Sequence, residues 1–574
     1  MSEMQGRAQQ IDSYDVAIMG GGAAGLTLAL QLKKARPATS ILVVERQQHP
    51  VPETAHKVGE STVEIAGYYL RSVLGMEEHL KEQQLNKFGL RMFFSNNGNH
   101  DIARRVELGH SVCPPYSVGS YQLDRGRLEN ALGQELLKLG IPFLSGRKVQ
   151  EVCLQPREDH HRLRIFHGGE TQEIQARWLV DASGRSSLLK RQLGLAKKVT
   201  HQANGVWFRI GHPIDIDEWS SDPGWHSRIR ECQREFSTNH LMGPGYWVWL
   251  IRLASDSISI GIVTDANMHP FDAMNRFERA MDWLHEHEPQ CAGVIEQYRD
   301  KVQDFRVMKD YAYSCEQAFS DERWCLAGEA GIFLDPFYSP GLDIIAISNG
   351  LITDLITHAL DGEDVGERAA IHNTMYLTLT DGWFKVYDQQ YPLMGSARIM
   401  LAKIIWDTAV YWAVPGLLYF HDVIRRFVDF PGIVTNLARF AAASERIQRF
   451  FREWYAIDQS SDSETFVGYY DVDFMWRLHI GMTAGLSDAD LEAQFAANVR
   501  FIEQISGQLV STIIAECAAK PENEAIRRQV ERWQDDAVLM NLVEVYEQDS
   551  REQPVSDYWI TLKRPTRTRQ ETAR

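Results

Sequence analysis

No two of the seven cysteines in this 574-residue chain are spaced as C-x-x-C. They stand scattered at Cys113, Cys153, Cys232, Cys291, Cys315, Cys325 and Cys517. An odd, dispersed set gives no zinc site, so no metal centre is expected, and it fits reduced thiols in a cytoplasmic chain. Long apolar runs are missing as well. The most hydrophobic stretch, Ile399 to Phe420, is interrupted by Lys403 and Asp407, and only Thr408 to Phe420 is free of charge. That is well short of the about 20 residues a bilayer span requires, so a buried or interfacial helix is expected there. Met1 to Ile11 is polar and has no apolar core of a signal peptide. Positive charge is in deficit: 60 Lys and Arg against 77 Asp and Glu leave a net −17, which opposes nucleic acid and anionic membrane as partners. The basic end, Lys563 to Arg569, reads as a solvated tail. Repeats and low-complexity linkers are absent too, so nothing in composition divides the chain cleanly.

What is present begins with Val16-Ala17-Ile18-Met19, an apolar run long enough for one buried strand. Gly20-Gly21-Gly22-Ala23-Ala24-Gly25 follows, then a helical run from Leu26 to Leu32, then a second apolar run, Ile41 to Val44, ending at Glu45. This is the order of a dinucleotide site. Gly20 permits the tight turn, Gly22 admits a pyrophosphate close to the backbone, and Gly25 allows helix and strand to touch. The helix N-terminus supplies N–H donors for phosphate, and Glu45 is placed to accept ribose hydroxyls.

Further along, a loop carries Lys57 to Thr62, and Ile65 to Leu85 reads as helix. Lys87 to Phe94 reads as an aromatic strand. A helix opens near Asp124-Arg125, with Leu128, Ala131, Leu132, Leu136 and Leu137 expected on one face. Val149–Val152 and Leu163–Ile165 fit a β-ribbon, and Trp178 to Gly184 is a buried strand ending in small residues. Residues 196–309 carry strand-like runs over Gly205–Ile210, Tyr246–Leu253 and Ser257–Ile262, expected as an antiparallel substrate-side sheet. Trp324 to Gly331 is strand and glycine turn. From Leu342 the pattern is helical, with Ile344, Ile345, Ser348, Leu351, Ile352 and Leu355 on one face. It continues almost wholly helical to about residue 550, including a capped start at Ser487 to Asp490.

Four of these motifs resemble the FAD-dependent oxidoreductases of the p-hydroxybenzoate hydroxylase fold: Gly20 to Gly25 with Glu45, Asp124-Arg125, Asp181-Ala182-Ser183-Gly184, and Gly328-Glu329, where the family has Gly-Asp. Three more resemble the flavin-dependent halogenases. Trp247-Val248-Trp249-Leu250-Ile251 matches that family's WxWxI core. Phe333 to Gly341 fits its spacing of Phe, Pro, Ser and Gly. Lys87 stands where its catalytic lysine is found.

The resemblance implies an α/β fold (α+β overall). A Rossmann-like FAD-binding domain would span 12–195, completed by 310–360, with the substrate-side sheet over 196–309 and a helical region over 361–574. FAD, used as FADH2, would contact Gly20, Gly22, Ala23, Ala24, Gly25, Glu45, Arg46, Ser61, Arg125, Gly328, Glu329, Pro336, Gly341 and Leu342. A halide would lie at Ser339, Pro340 and Gly341, although Pro340 has no N–H to offer. Asp343 nearby would disfavour an anion unless it points away. Trp247, Trp249, Phe337 and Tyr338 would wall the substrate pocket. In the family, reduced flavin, O2 and halide give hypohalous acid, which a lysine directs onto a separate organic substrate.

The implied activity is halogenation of an electron-rich phenolic or pyrrolic aromatic, free or carrier-tethered, with a separate flavin reductase supplying FADH2. Tyr338, where tryptophan-type members have glutamate, argues against free tryptophan. An FAD-dependent aromatic hydroxylase, a reductase of an isoprenoid-like or polyene substrate, and a non-enzymatic FAD-binding protein are the alternatives. His110, His226 and His240 read as structural or exposed.

Overall fold

A computed structural model describes residues 11–54, 57–96, 98–458, 466–520 and 522–562. The basic end from Lys563 onward and the first ten residues lie outside the described residues.

The first sheet is built on parallel strands whose side chains are buried on both faces, which is why they read as unbroken apolar runs. Its order is Phe319–Ser320, Trp324–Leu326, Glu170–Asp181, Asp12–Met19, Ile41–Val44 and Phe143–Leu144. Asp12–Met19 lies centrally, parallel to both Glu170–Asp181 and Ile41–Val44. The expected ribbon is present as Lys148–Cys153 paired antiparallel with His161–His167. Helix Ala23–Ala35 starts four residues after Met19, and every residue from Ala23 to Leu30 is buried. Helix Gly341–Leu360 packs across it, and its side chains from Leu342 to Ile356 are buried on all sides. The single apolar face expected from Leu342 onward understates that burial.

The second sheet runs Val302–Met308, Ala203–Ile210, Ile258–Asp265, Tyr246–Arg252, Thr238–Gly243, Leu90–Phe94, Glu107–Gly109 and Phe466–Gly468. Five of these strands lie in the 196–309 stretch expected to form an antiparallel sheet. The remaining three come from outside it. Leu90–Phe94 joins Thr238–Gly243 in parallel, and Phe466–Gly468 joins Glu107–Gly109 in parallel. This sheet is therefore shared by all three parts of the chain.

The stretch expected as one helix over Ile65 to Leu85 breaks in two, Glu64–Val73 and Glu77–Gln83, because Gly75 between them takes φ +67°. Phe88 and Gly89 likewise break the aromatic strand into Leu85–Lys87 and Leu90–Phe94. In helix Arg125–Lys138, Leu128, Leu132 and Leu136 are buried, but Leu137 is 60% exposed. It sits one position past the buried stripe, about 100° round the helix.

The C-terminal region is helical apart from Phe466–Gly468 and 3-10 turns. Ser487 caps helix Asp488–Ala518 through the Asp490 N–H, as its sequence indicates. The hydrophobic stretch near residue 400 becomes helix Ala397–Tyr411, a π turn around Pro415, and a short helix Leu417–Phe420. Lys403 and Asp407 pair at 2.8 Å inside the protein, and Gln448 bonds both of them. Among the described residues no helix is long and apolar enough to cross a membrane.

Candidate active site

Two cavities meet at the N-terminus of helix Gly341–Leu360. The first, of about 510 Å³, runs from Glu45 and Arg46 past Gly20, Gly22, Ala23 and Ala24 to Pro336, Gly341 and Leu342. Arg125, Ser61, Gly328 and Glu329 line it as well. Of the residues expected to contact the cofactor, only Gly25 is not on its wall. A Cβ on Gly25 would stand 1.9 Å from Gly20 O, so this glycine is needed for helix and strand to touch.

The walls fit a dinucleotide. Gly20 holds φ +122°, and a Cβ there would collide with Ala182 O at 2.2 Å. Gly22 instead faces open space, with nothing nearer than the Lys57 ammonium at 3.9 Å. Glu45 accepts from the Gly21 and Gln47 N–H groups at 2.6 and 2.7 Å, which fixes its carboxylate at the end of its strand. Arg125 spans to Val58 O and Glu129 while its Nε stays buried without a partner. Asp181 accepts from Ser183 and Leu189, closing its own turn and leaving Ala182, Ser183 and Gly184 on the cavity. Burial pushes the Glu329 carboxyl above the ordinary value, with Arg125, Arg185 and Lys57 opposing.

Ser339 stands at the helix entry with φ +58°. Its N–H is spent on Pro336 O and its hydroxyl on Ser61. Pro340 has no N–H, and the first helical bond is donated by Ile344 to Pro340 O. The N–H groups of Gly341, Leu342 and Asp343 therefore precede the helix's own bonding and point into its entry. Of the three residues expected at a halide, Gly341 alone offers an uncommitted backbone donor. The Asp343 carboxyl turns away, accepting from Ala66 N–H at 2.9 Å and the Tyr411 hydroxyl at 2.7 Å. Burial drives its pKa up to about 8, against those two donors.

The second cavity, of about 880 Å³, lies on the other side of this junction, and Pro340 borders both. Lys87 lines it, only 3% exposed. Its Nζ donates to Ser61 Oγ at 2.8 Å and Thr62 O at 2.6 Å. Ser61 faces the first cavity, so a hydrogen-bonded path runs Lys87, Ser61, Ser339 through the partition. Burial brings the Lys87 pKa down to about 7, although Glu64 and Asp343 pull it upward.

The four residues expected to wall the substrate pocket divide between the chambers. Trp247 and Trp249 line the first cavity, because strand Tyr246–Arg252 turns that face toward it. Their indole N–H groups bond Tyr391 and Ser259. Tyr391, Tyr311 and His201 all converge on Asp335 Oδ2, at 2.6 to 2.7 Å. Phe337 is buried in the partition, 5.4 Å from the Trp247 ring and 5.6 Å from that of His240. Tyr338 alone faces Lys87's cavity, its hydroxyl donating to Asp407 at 2.8 Å.

Sequence reasoning passed over Glu64 and gave His110 only a structural reading. Both line the second cavity. Glu64 lies 3.0 Å from His479 Nε2 and accepts from Trp412 Nε1 at 3.2 Å. Burial pushes its carboxyl up, but the contact with His479, a backbone N–H and the nearby Lys87 together hold it below the ordinary value. His110 is 3% exposed, stacks on Tyr469 and has a buried Nδ1 with no partner. His240 lies buried on the first cavity, where burial lowers its pKa to about 3. His226 is exposed, as its sequence context implies. Neither Glu64 nor His110 belongs to a spaced motif; each is brought in by the fold.

Residues 13–253 match the family model of the FAD binding domain, and the first cavity lies mainly within that matched stretch. The chain is 24% identical over 431 residues to the flavin-dependent halogenase chlA of Dictyostelium discoideum, covering 70% of each protein. It is 27% identical to the 1H-pyrrole-2-carbonyl-[peptidyl-carrier protein] brominase of Pseudoalteromonas luteoviolacea, over 62% of this chain and 80% of that one. Among solved structures, halogenase PltM superimposes with TM-score 0.62 at 16% identity, over 84% of this chain and 98% of that one. That last likeness is one of fold. In sequence and in fold the chain resembles flavin-dependent halogenases.

Proposed function

We propose that this enzyme halogenates an electron-rich aromatic, phenolic or pyrrolic, using FADH2 delivered by a separate reductase together with O2 and a halide. When bound, reduced FAD supplies the chemistry that turns O2 and halide into hypohalous acid. The chain's own residues do the rest. Gly341 and Leu342 hold the halide with backbone N–H groups at a positive helix end. Trp247, Trp249 and Phe337 close off the flavin side, so the aromatic cannot reach the cofactor directly. Lys87 receives the oxidant on the far side.

The observation that carries this reading is the placement of Lys87: a buried amine with a pKa near neutrality, in a chamber of its own, tied by one serine to the flavin side. At neutral pH such a group is available both as an ammonium that hydrogen-bonds hypohalite and as an amine that takes up its halogen. A phenol beside it meets an ionised carboxylate, Glu64, able to accept its proton. A hydroxylase reading gives Lys87 no task. The test is mass spectrometry of simple phenols after incubation with FAD, a reductase and bromide. A monobromo product, absent without bromide, is expected. Oxygen insertion independent of halide would replace this reading with the hydroxylase.

A further inference from the structure

The chamber around Lys87 is much larger than the ring it is proposed to hold. From Glu64, His110 and Lys87 it continues outward between helix Gly366–Tyr387 and helix Pro431–Tyr455. On the first helix its wall includes Glu367, Ala370, Thr374, Thr378, Gly382 and Lys385, a repeat of three and four residues that marks one face. From Glu367 to Tyr387 that face is about 30 Å long at 1.5 Å per residue. The second helix contributes Val434, Leu437, Ala438, Ala441 and Ser444, again a single face. The helices do not close on each other because the facing residues are small: a Cβ on Gly382 would have nothing within 4 Å. Between them lie half-exposed Ile371, Met375, Leu379 and Phe440, and further in are Trp406, Trp412 and Leu418. Half-exposed apolar side chains facing one another across an unfilled groove form a surface that gains by being covered.

We propose that this groove holds the tail of a free substrate: an aromatic head, placed at Lys87, that carries a long unbranched alkyl or polyene chain reaching toward the surface. The inference rests on the halogenase reading for the head and on the groove alone for the tail. Continuity selects this occupant, since the groove opens into the same cavity as Lys87. A phosphopantetheine arm from a carrier protein would have comparable reach, but its amides and phosphodiester need donors and a cation. The cations on the cavity wall, Lys87 and Lys385, already have partners: Lys385 is ion-paired with Glu445 across the outer lip. The remaining outer charges, Glu367 and Asp381, are acidic, Asp381 being paired with Lys197. An aliphatic chain asks for none of this.

The experiment is calorimetric titration of the intact enzyme with resorcinols bearing alkyl chains of increasing length, beside bromination rates for the same series. Kd is expected to fall with each added methylene by roughly two- to fourfold, until the chain reaches the lip. Gly382→Phe, which fills open space on an exposed helix face, should flatten that dependence, and Gly382→Ala should preserve it. Circular dichroism of the two variants shows whether they fold alike. Affinity indifferent to chain length in the wild type would overturn the proposal, as would turnover confined to carrier-tethered substrates. Chain-length-dependent binding without bromination of any member would leave the groove assignment standing and remove the halogenase reading instead.

Discussion

Lys87 Nζ and Ser61 Oγ, 2.8 Å apart, belong to opposite sides of one partition: the lysine lines the large chamber and the serine lines the flavin groove. Lys87→Met removes the amine while keeping most of the apolar stem. Bromination should fall at least about 100-fold, within the range of a lost acid–base or nucleophilic group, while oxidation of reduced flavin by O2 continues. In the wild type the bromination rate should rise with pH around a midpoint near 7, where the amine loses its proton, and flavin oxidation should not follow that curve. Bromination that survives the substitution would take Lys87 out of the mechanism.

Pro340 offers the helix entry no donor, so Pro340→Ala adds a backbone N–H beside that of Gly341. A further bond to an anion should lower the bromide KM by about tenfold. If bromide KM stays fixed while kcat is also unmoved, the halide is held elsewhere.

Asp343 sets a pH dependence of stability whose sign follows from its environment. Its folded pKa, about 8, lies above the ordinary 3.8, so its contribution is complete below about 3.8 and is lost as pH rises through 8. Lys87 works the other way: its pKa is lowered to about 7 from 10.5, so its contribution grows only above neutrality. Between pH 5 and 7 the buried histidines His161 and His240, whose pKa values burial lowers, push stability the other way, so the Asp343 effect is read as the difference between wild type and Asp343→Asn. Asp343→Asn should gain stability relative to wild type as pH rises across that interval in urea unfolding. Parallel curves would mean that Asp343 is ionised in the folded protein.

Glu107 sits wholly buried among three arginines, accepting from Arg91 at 2.6 Å, Arg234 at 2.9 Å and Arg228 at 3.1 Å. Glu107→Gln leaves those guanidinium groups short of their counter-charge and should cost about 3–5 kcal/mol of stability. Replacing Arg228 alone, at the partly exposed edge, should cost less. Thermal unfolding of the two variants gives the comparison.

The glycine turn beside the first cavity was legible in the sequence because Gly20 to Gly25 are consecutive and answer backbone demands, Gly20 a positive φ and Gly25 a close approach, with Glu45 at the next strand's end. Lys87 was legible only beside the other motifs, since a lysine at a strand start carries no periodic signal. Its surroundings were not legible. Glu64, His110, Asp343 and Tyr411 are far apart along the chain and meet only because strand Glu107–Gly109 and helix Ala397–Tyr411 converge on one chamber. For Trp247 and Trp249, alternation says that both indoles share a face, but not which chamber that face meets; the structure turns it toward the first cavity. The broken helix after Thr62 failed for a simpler reason, since a glycine inside an apolar pattern looks tolerable until its φ is known.

The three residues Phe466–Gly468 close the second sheet, although they are separated from their neighbour Glu107–Gly109 by more than half the chain. During synthesis that edge therefore emerges from the ribosome long before its covering strand exists. Until then its N–H and C=O groups are a template for any passing extended segment. Fragments cut anywhere before residue 466 should inherit that exposed edge permanently, and their insolubility would report a missing strand rather than an unsuitable fold.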